Sequence, residues 1–321
     1  MGKRKTFAGI DVGGTSMIAV IGDSKGDVLG SSGCATSTSR KPADVLDQIT
    51  AQVEAAADAA CVRISKLDGI GIGVPGAVDT RSGVVSRAPN LGWENVPLAK
   101  LLRKRFKKDV AVGNDVQVAI LGEHAFGAAS GAESAVGIWI GTGIGGGIIL
   151  GGKLLRGSRG AAGEIGHTVL DENGPVCGCG RKGCAEAFAS RTAMEREVRS
   201  MKGGRRVLEI MKEKSKPRMT SSVIARALKE KDPVMLEILA RAQHYIGLLT
   251  GNLINVLDPE VVVIGGGLAQ RFGEEFLKPI RETARARLLR PDPEGRVRIV
   301  HAILGDYSGA LGACALADDV L

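Results

Sequence analysis

The sequence predicts an α/β protein of two domains, built as similar halves facing each other across a cleft, and three observations predict it. Apolar residues make up 44% of the 321-residue chain but aromatic ones only 3%, so the core has to be built from Val, Ile, Leu and Ala, which suit parallel or mixed sheets covered by helices. Apolar strands alternate with glycine-rich turns at residues 7–20, 135–150 and 261–267. The first two of these resemble each other: Gly9-Ile10-Asp11-Val12-Gly13-Gly14-Thr15 aligns with Gly137-Ile138-Trp139-Ile140-Gly141-Thr142-Gly143, 128 residues later. An internal repeat of this kind points to two related halves, each with a glycine turn whose backbone amides can approach an anion.

Taken in order, each repeat copy is a strand, a tight turn and a second strand, a hairpin. Gly22-Asp23-Ser24-Lys25-Gly26 fits G-x-S-x-G, but it joins two strands instead of a strand and a helix, so it is a hairpin turn and no nucleophile elbow. Residues 42–64 and 98–105 carry apolar side chains at helical spacing, and 66–74 and 109–112 read as strands, which makes the first half rich in βαβ units. Asn114-Asp115 then stands between the strand at 110–113 and an Ala-rich helix running through His124. Residues 232–257 form a long amphipathic helix that Asp258-Pro259 breaks, followed by a strand at 261–264, the turn Gly265-Gly266-Gly267, a helix through residue 280 and an Ala-rich helical tail at 308–321.

The net charge of +8 raises the question of a nucleic-acid partner. The basic stretches at 103–108, 196–218 and 281–290 lie in helical segments with no interleaved aromatics for base stacking, so they read as solvated helix faces. No segment reaches the roughly 20 apolar residues of a membrane helix, and the apolar run after the basic N-terminus stops at Asp11, too short for a signal peptide. A cytoplasmic protein with no membrane partner is expected. Met1-Gly2-Lys3-Arg4-Lys5-Thr6 fits the loose N-myristoylation pattern, read as coincidence because Thr6 begins a buried strand.

Asp11-Val12-Gly13-Gly14-Thr15 sets a carboxylate beside two glycines and a hydroxyl, a set able to hold a hydrated cation and a phosphate together. The second copy has Trp139 in place of Asp11, which hints at a role for Asp11 that is needed once; a β-turn with a locally bonded Asp explains the motif equally well. Gly141-Thr142-Gly143-Ile144-Gly145-Gly146-Gly147 is a stronger phosphate-turn candidate, because its glycines permit positive φ and close approach to a ligand. Gly141, Gly143 and Gly146 also match G-x-G-x-x-G, yet a strand follows where a dinucleotide fold needs a helix. His167, Cys177, Cys179 and Cys184, spaced H-x9-C-x-C-x4-C, suit a tetrahedral Cys3His zinc site that pins a loop with little core of its own. A disulfide framework fits less well, since three clustered cysteines leave one unpaired. Cys34, Cys61 and Cys314 read as small core residues. Asn114-Asp115 is locally best read as a helix cap, with a general base as the functional alternative. Gly163-Glu164-Ile165-Gly166-His167, Glu186 and Asn90 offer polar groups for the hydroxyls of a sugar.

These motifs occur together in the order seen in ROK-family sugar kinases, and the resemblance covers essentially the whole chain. Its most specific part is Gly163-Glu164-Ile165-Gly166-His167 followed by Cys177-Gly178-Cys179-Gly180 and Gly183-Cys184-Ala185-Glu186, and within the family the chain is most similar to bacterial glucokinases. The resemblance implies an actin-like (ribonuclease H-like) fold, with a small N-terminal domain at 1–117 plus 308–321 and a larger domain at 118–307. It implies phosphorylation of glucose by ATP with Mg2+, and a structural Zn2+. Asp115 would be the catalytic base, and Asn90, Asn114, Asp115, Glu164, His167 and Glu186 the sugar contacts. Asp11, Gly13, Gly14, Thr15, Gly141, Thr142, Gly143, Gly265 and Gly266 would hold the nucleotide, and His167, Cys177, Cys179 and Cys184 the zinc. A homo-oligomer, dimer or tetramer, acting on a small sugar is the expected form. N-acetylmannosamine, N-acetylglucosamine and fructose are the alternative substrates, and a non-catalytic sugar-sensing regulator is the alternative class. Regulators of this family add an N-terminal DNA-binding domain, which the ten residues before Asp11 do not accommodate. The chain departs from the family pattern at Val116-Gln117, where small residues are common, and at Gly113, where an acid is frequent.

Overall fold

Hairpins, caps and breakers fall where the local chemistry demands them, and they set the order of elements. The computed structural model describes residues 4–39 and 41–321, so Met1 to Lys3 of the myristoylation-like motif lie outside the described residues. The chain runs β1 (Thr6–Val12), β2 (Ser16–Asp23), β3 (Val28–Ala35), α1 (Pro42–Ala59), β4 (Gly69–Val74), β5 (Ala77–Asp79), β6 (Val84–Ala88), β7 (Trp93–Val96), α2 (Leu98–Phe106), β8 (Val110–Asn114) and α3 (Asp115–Phe126). It continues through β9 (Ala135–Ile140), β10 (Ile144–Leu150), β11 (Lys153–Leu154), α4 (Ala185–Ala189), α5 (Arg191–Ser200), α6 (Arg205–Glu213), α7 (Ser221–Lys229) and α8 (Pro233–Leu257). The last elements are β12 (Val261–Gly265), α9 (Gly267–Phe272), α10 (Glu274–Arg285), β13 (Arg298–His301) and α11 (Ser308–Val320).

Two five-stranded sheets share one plan, with orders β3-β2-β1-β4-β8 and β11-β10-β9-β12-β13. In the first, β1, β2 and β3 are antiparallel neighbours, while β4 and β8 run parallel to β1. The repeated hairpins, β1–β2 and β9–β10, occupy equivalent places in the two orders, which is the structural form of the repeat seen in the sequence. A third sheet, β5-β6-β7, has three strands; sequence reading did not anticipate it, because strands of three to five residues carry too few alternations to register.

The chain divides into two compact units, Met1–Gly137 with Gly147–Gly163 and Ile303–Leu321, and Ile138–Gly146 with Glu164–Ala302. The first unit takes in α3, beyond the boundary expected at residue 117. Its reason is Glu123, a fully buried carboxylate on α3 that accepts hydrogen bonds from the Ala128, Ile303 and Leu304 amides and the Ser308 hydroxyl. Such a group is tolerated only when its acceptors are filled, so it staples the start of α11 to α3. The core of this unit packs Ile10, Ile21, Ile70 and Ile72 against Ile49, Val53, Leu98 and Leu102. A smaller cluster joins Phe7 and Val20 to Leu311 and Cys314 of α11.

In the second unit, α8 begins with Asp232 accepting the Met235 amide and Pro233 in the first turn, and it stops at Asp258 in the left-handed region, φ 43°. The helix expected to run through residue 280 is broken in two. Gly273, at φ 48° and ψ −121°, separates α9 from α10 with a backbone conformation that no helix contains. Cys314 is buried as expected, whereas Cys61, expected in the core, is exposed and sits at φ 54° just beyond α1. Basic side chains of the helical stretches are tied up locally: Arg105 with Asp47, Arg199 with Glu195, Arg206 with Glu230 and Arg281 with Glu274. No helix among the described residues is long and apolar enough to cross a membrane.

Candidate active site

In the first unit the expected site residues gather at the ends of β1 and β8. The turn after β1 is closed by the Gly13 amide on the Ser16 carbonyl, 2.8 Å. Thr36, itself buried, straps it: its hydroxyl donates to the Gly13 carbonyl at 2.7 Å and its amide to the Thr15 carbonyl at 3.0 Å. Asn90 is exposed beside this turn, its Cβ lying 3.5 Å from where a Cβ on Gly14 would stand. Asp11 is half-buried at the end of β1, with its carboxylate against Gly309 in the first turn of α11. Burial, and secondarily the charge of Asp115, push its pKa up from 3.8 to about 7. This part of the site is short of positive charge, which is a fitting environment for a divalent cation held through a carboxylate.

Asn114 serves the helix. Its Oδ1 accepts the Val116 and Gln117 amides at 3.0 and 3.1 Å, while its Nδ2 donates to the Gly76 carbonyl at 3.1 Å. The capping role read from the sequence is therefore filled, and it fixes Asp115 as the first residue of α3. Asp115 is half-buried, with Oδ1 accepting the Val116 amide at 2.9 Å.

In the second unit the glycine turn between β9 and β10 is closed by the Gly141 amide on the Gly143 carbonyl, 2.9 Å. A second strap of the same design holds it: the Thr192 hydroxyl donates to the Thr142 carbonyl at 2.8 Å, and the Arg191 amide to the Gly141 carbonyl at 3.1 Å. Neither Gly141 nor Gly143 adopts the positive φ that the sequence suggested. Gly143 lies against Glu186 instead: a Cβ there would stand 2.3 Å from Oε2, so a side chain would displace that carboxylate. Gly266, after β12, does have positive φ, 95°, and a Cβ on it would fall 2.2 Å from the Ile140 carbonyl. Trp139 has its own reason to stand where Asp11 does in the first copy: its indole lies against Gly265.

The residues expected to hold a metal also meet in this unit. A 3-10 turn, Ile165–His167, presents His167, with Glu164 exposed at its start. Cys177 and Cys179 lie on a knuckle closed by the Cys177 amide on the Arg181 carbonyl, 2.8 Å, and Cys184 directly precedes α4. The four donor atoms lie within 4.8 Å of one another. Cys177 Sγ is 3.6 Å from His167 Nδ1, and Cys179 Sγ is 3.7 Å from Cys184 Sγ. A tetrahedral zinc, with Zn–S about 2.3 Å and Zn–N about 2.0–2.1 Å, holds its sulfurs about 3.8 Å apart and sulfur about 3.6 Å from nitrogen. The donor set and its spacing both fit zinc. Hydrogen bonds from Arg181, backbone first and then side chain, bring the Cys179 thiol down to about 6, toward the thiolate that ligates.

Glu186 connects this cluster to the glycine turn. Its Oε2 accepts the Ile144 amide at 2.9 Å, and its Oε1 receives the Cys177 thiol at 3.4 Å. Sequence reasoning placed Glu186 among sugar contacts and missed this tie, as it missed Thr36, Thr192 and Arg191; no spacing signal announces any of them.

The sequence pattern of the ROK family matches residues 7–320. The glucokinase of Halalkalibacterium halodurans is 34% identical over 312 residues, 95% of this chain and 93% of that protein. A putative xylose repressor of Caldicellulosiruptor is 31% identical over 308 residues, 96% of this chain and 77% of that protein. Among solved structures, the ROK-family glucokinase of Streptomyces griseus in complex with glucose and AMPPNP superimposes with a TM-score of 0.84 at 32% identity, covering 98% of this chain and 99% of that one. By pattern, by identity over nearly its full length and by fold, the chain belongs to the ROK family.

Proposed function

We propose that this chain is an ATP-dependent glucokinase, converting glucose and ATP to glucose 6-phosphate and ADP. The observation that carries the reading is a likeness to glucokinases spanning nearly the whole of both chains, in a chain that sets a carboxylate, Asp115, at the first position of a capped helix. As the sugar hydroxyl oxygen attacks the γ-phosphorus, its proton passes to Asp115. The new O–P bond forms as the bond to the ADP oxygen breaks in line, and protonated Asp115 then releases its proton to solvent. Mg2+ carried with ATP offsets phosphate charge, and Asp11 is the carboxylate to hold its hydration shell.

Asn90 and Asn114 in the first unit, and Glu164, His167 and Glu186 in the second, are assigned to the sugar hydroxyls. Bound zinc would be structural, held by His167, Cys177, Cys179 and Cys184. With zinc bound, Cys177 would be a thiolate with no proton to give Glu186, which would leave Oε1 free for a sugar hydroxyl while Oε2 keeps the Ile144 amide. Gly13, Gly14, Thr15, Thr142, Gly143 and Gly266 are assigned to the nucleotide. The same reading makes the protein cytoplasmic and homo-oligomeric, with a small sugar as its partner.

The test is the initial rate with Mg-ATP across glucose, mannose, fructose, N-acetylglucosamine and N-acetylmannosamine, with D115A as the blank. Preference for glucose is expected, with the D115A rate lower by about 10²–10⁴-fold while folding and most glucose binding survive. Retained turnover in D115A removes Asp115 as the base. Turnover on none of these sugars, with glucose still bound, overturns the ATP-dependent kinase in favour of another phosphoryl donor, ADP or polyphosphate, or of a sugar sensor, the class suggested by the likeness to a repressor.

A further inference from the structure

Two arginines among the described residues have a side-chain Nε sealed from solvent and without a hydrogen-bond partner, Arg191 and Arg241. They differ in one respect. Arg241 delivers its charge to Glu197 through Nη2, whereas Arg191 makes no ion pair among the described residues. Burial alone acts on its guanidinium, pushing the pKa below the ordinary arginine value with no neighbouring anion to hold it up. Only Nε is sealed, while the residue as a whole is half-buried and its Nη edge stays open; a guanidinium held in this way with no counter-charge presents its open edge to an anionic ligand.

The place of Arg191 says which ligand. Its backbone amide is anchored on the Gly141 carbonyl and the next residue on Thr142, so its side chain is rooted on the glycine turn. Nη2 lies 4.0 Å from the position a Cβ on Gly141 would take, and the only other atom near that position is the Gly143 carbonyl oxygen at 3.9 Å. Gly141 is thus required neither by positive φ nor by crowding. Its missing side chain leaves a niche beside the guanidinium edge, the kind of space a glycine provides where a ligand comes close to backbone.

We propose that Arg191 and the niche at Gly141 form a phosphate subsite, in which the Nη edge of the guanidinium takes an oxygen of the donor nucleotide's phosphate chain. Arg191 is a binding residue for the donor. It accepts no proton, and no bond is made or broken at it. This inference rests on the kinase reading and adds to it a residue that neither glycine turn contains.

The test is calorimetric titration of the full chain with Mg-AMPPNP and, separately, with adenosine, for the wild type, R191Q, R191K and G141A, alongside KM for ATP and for glucose. R191Q should weaken AMPPNP by about 10–100-fold, the range for loss of a charged hydrogen bond, and raise KM for ATP in step. Adenosine affinity and KM for glucose should stay within about twofold. R191K should fall between, because a point charge replaces the planar fork. G141A, whose Cβ meets no protein atom closer than 3.9 Å, should fold like the wild type and lose AMPPNP affinity by filling the niche. Unchanged AMPPNP binding in both R191Q and G141A overturns the inference, as does an equal loss for adenosine. A wild type that binds AMPPNP through Arg191 but phosphorylates no sugar supports the subsite and sinks the kinase reading alone. A wild type that binds no AMPPNP overturns both.

Discussion

Asp11→Asn separates what this carboxylate does for the site from what it costs the fold. Holding a carboxyl at about 7 instead of 3.8 disfavours the charged form by about 4 kcal/mol, at 1.36 kcal/mol per tenfold. Because Asp11 keeps some exposure, about 2–4 kcal/mol is the working range after solvent screening. A carboxyl with a higher pKa folded than unfolded binds its proton more tightly in the fold. Stability is therefore undiminished below pH 3.8, falls as pH rises through the interval up to about 7, and is lowest above it. Asparagine keeps the shape and removes the titration. The variant should be more stable than the wild type at pH 8, by about 4–8 °C in Tm at roughly 2 °C per kcal/mol.

Thermal unfolding of ligand-free wild type and D11N between pH 4.5 and 8.5 checks this. The gap between the two curves should widen up to about pH 7 and then hold constant. Mg-ATP should narrow it by stabilising the wild type preferentially, and D11N should be severely impaired in turnover. A gap independent of pH, or a D11N protein less stable throughout, would show that Asp11 is a paired, charged carboxylate and would refute the argument.

Cys179→Ser removes one of the four clustered donors; bound zinc should fall at least tenfold and Tm by several degrees, and unchanged metal content by atomic absorption rejects the site. Gly266→Ala combines φ 95° with a Cβ 2.2 Å from a backbone carbonyl, so a loss of about 2–4 kcal/mol in urea unfolding is expected, and a loss below about 0.5 kcal/mol rejects the strain. Glu186→Leu severs the tie between the Ile144 amide and the metal cluster; KM for ATP should rise together with KM for glucose, and a rise in the glucose constant alone would make Glu186 a sugar contact only.

Much of this protein was legible because its chemistry is local. The β1–β2 and β9–β10 hairpins repeat one string of residues, and the Asp232-Pro233 start and the Asp258-Pro259 stop of α8 are written in adjacent positions. The four residues proposed to hold zinc lie within 18 residues, from His167 to Cys184, and their donor atoms fall within 4.8 Å of one another. The two-domain α/β class could be expected from composition and the repeat, and the actin-like fold from the resemblance to the ROK family. The β5–β6–β7 sheet was hidden by its short strands, and the break at Gly273 by a glycine that carries no label saying whether it ends a helix or packs one.

The straps show why the remainder was not legible. Both glycine turns are held by a threonine hydroxyl on a turn carbonyl, yet Thr36 stands 23 residues from Gly13, and Thr192 stands 50 residues from Thr142. The repeat that duplicated the turns did not preserve the spacing of what holds them, so the pairing exists only after folding. The same holds for Glu186 reaching the Ile144 amide across 42 residues, and for the guanidinium of Arg191 beside Gly141. Groups that make a turn are fixed by backbone geometry and must be neighbours in sequence, whereas groups that support it are chosen by packing and can come from anywhere. The chemistry of such a site is therefore readable from a sequence long before its preorganisation is. Substitutions at Thr36, Glu186, Arg191 and Thr192 are where a folded structure adds most to what the motifs alone convey.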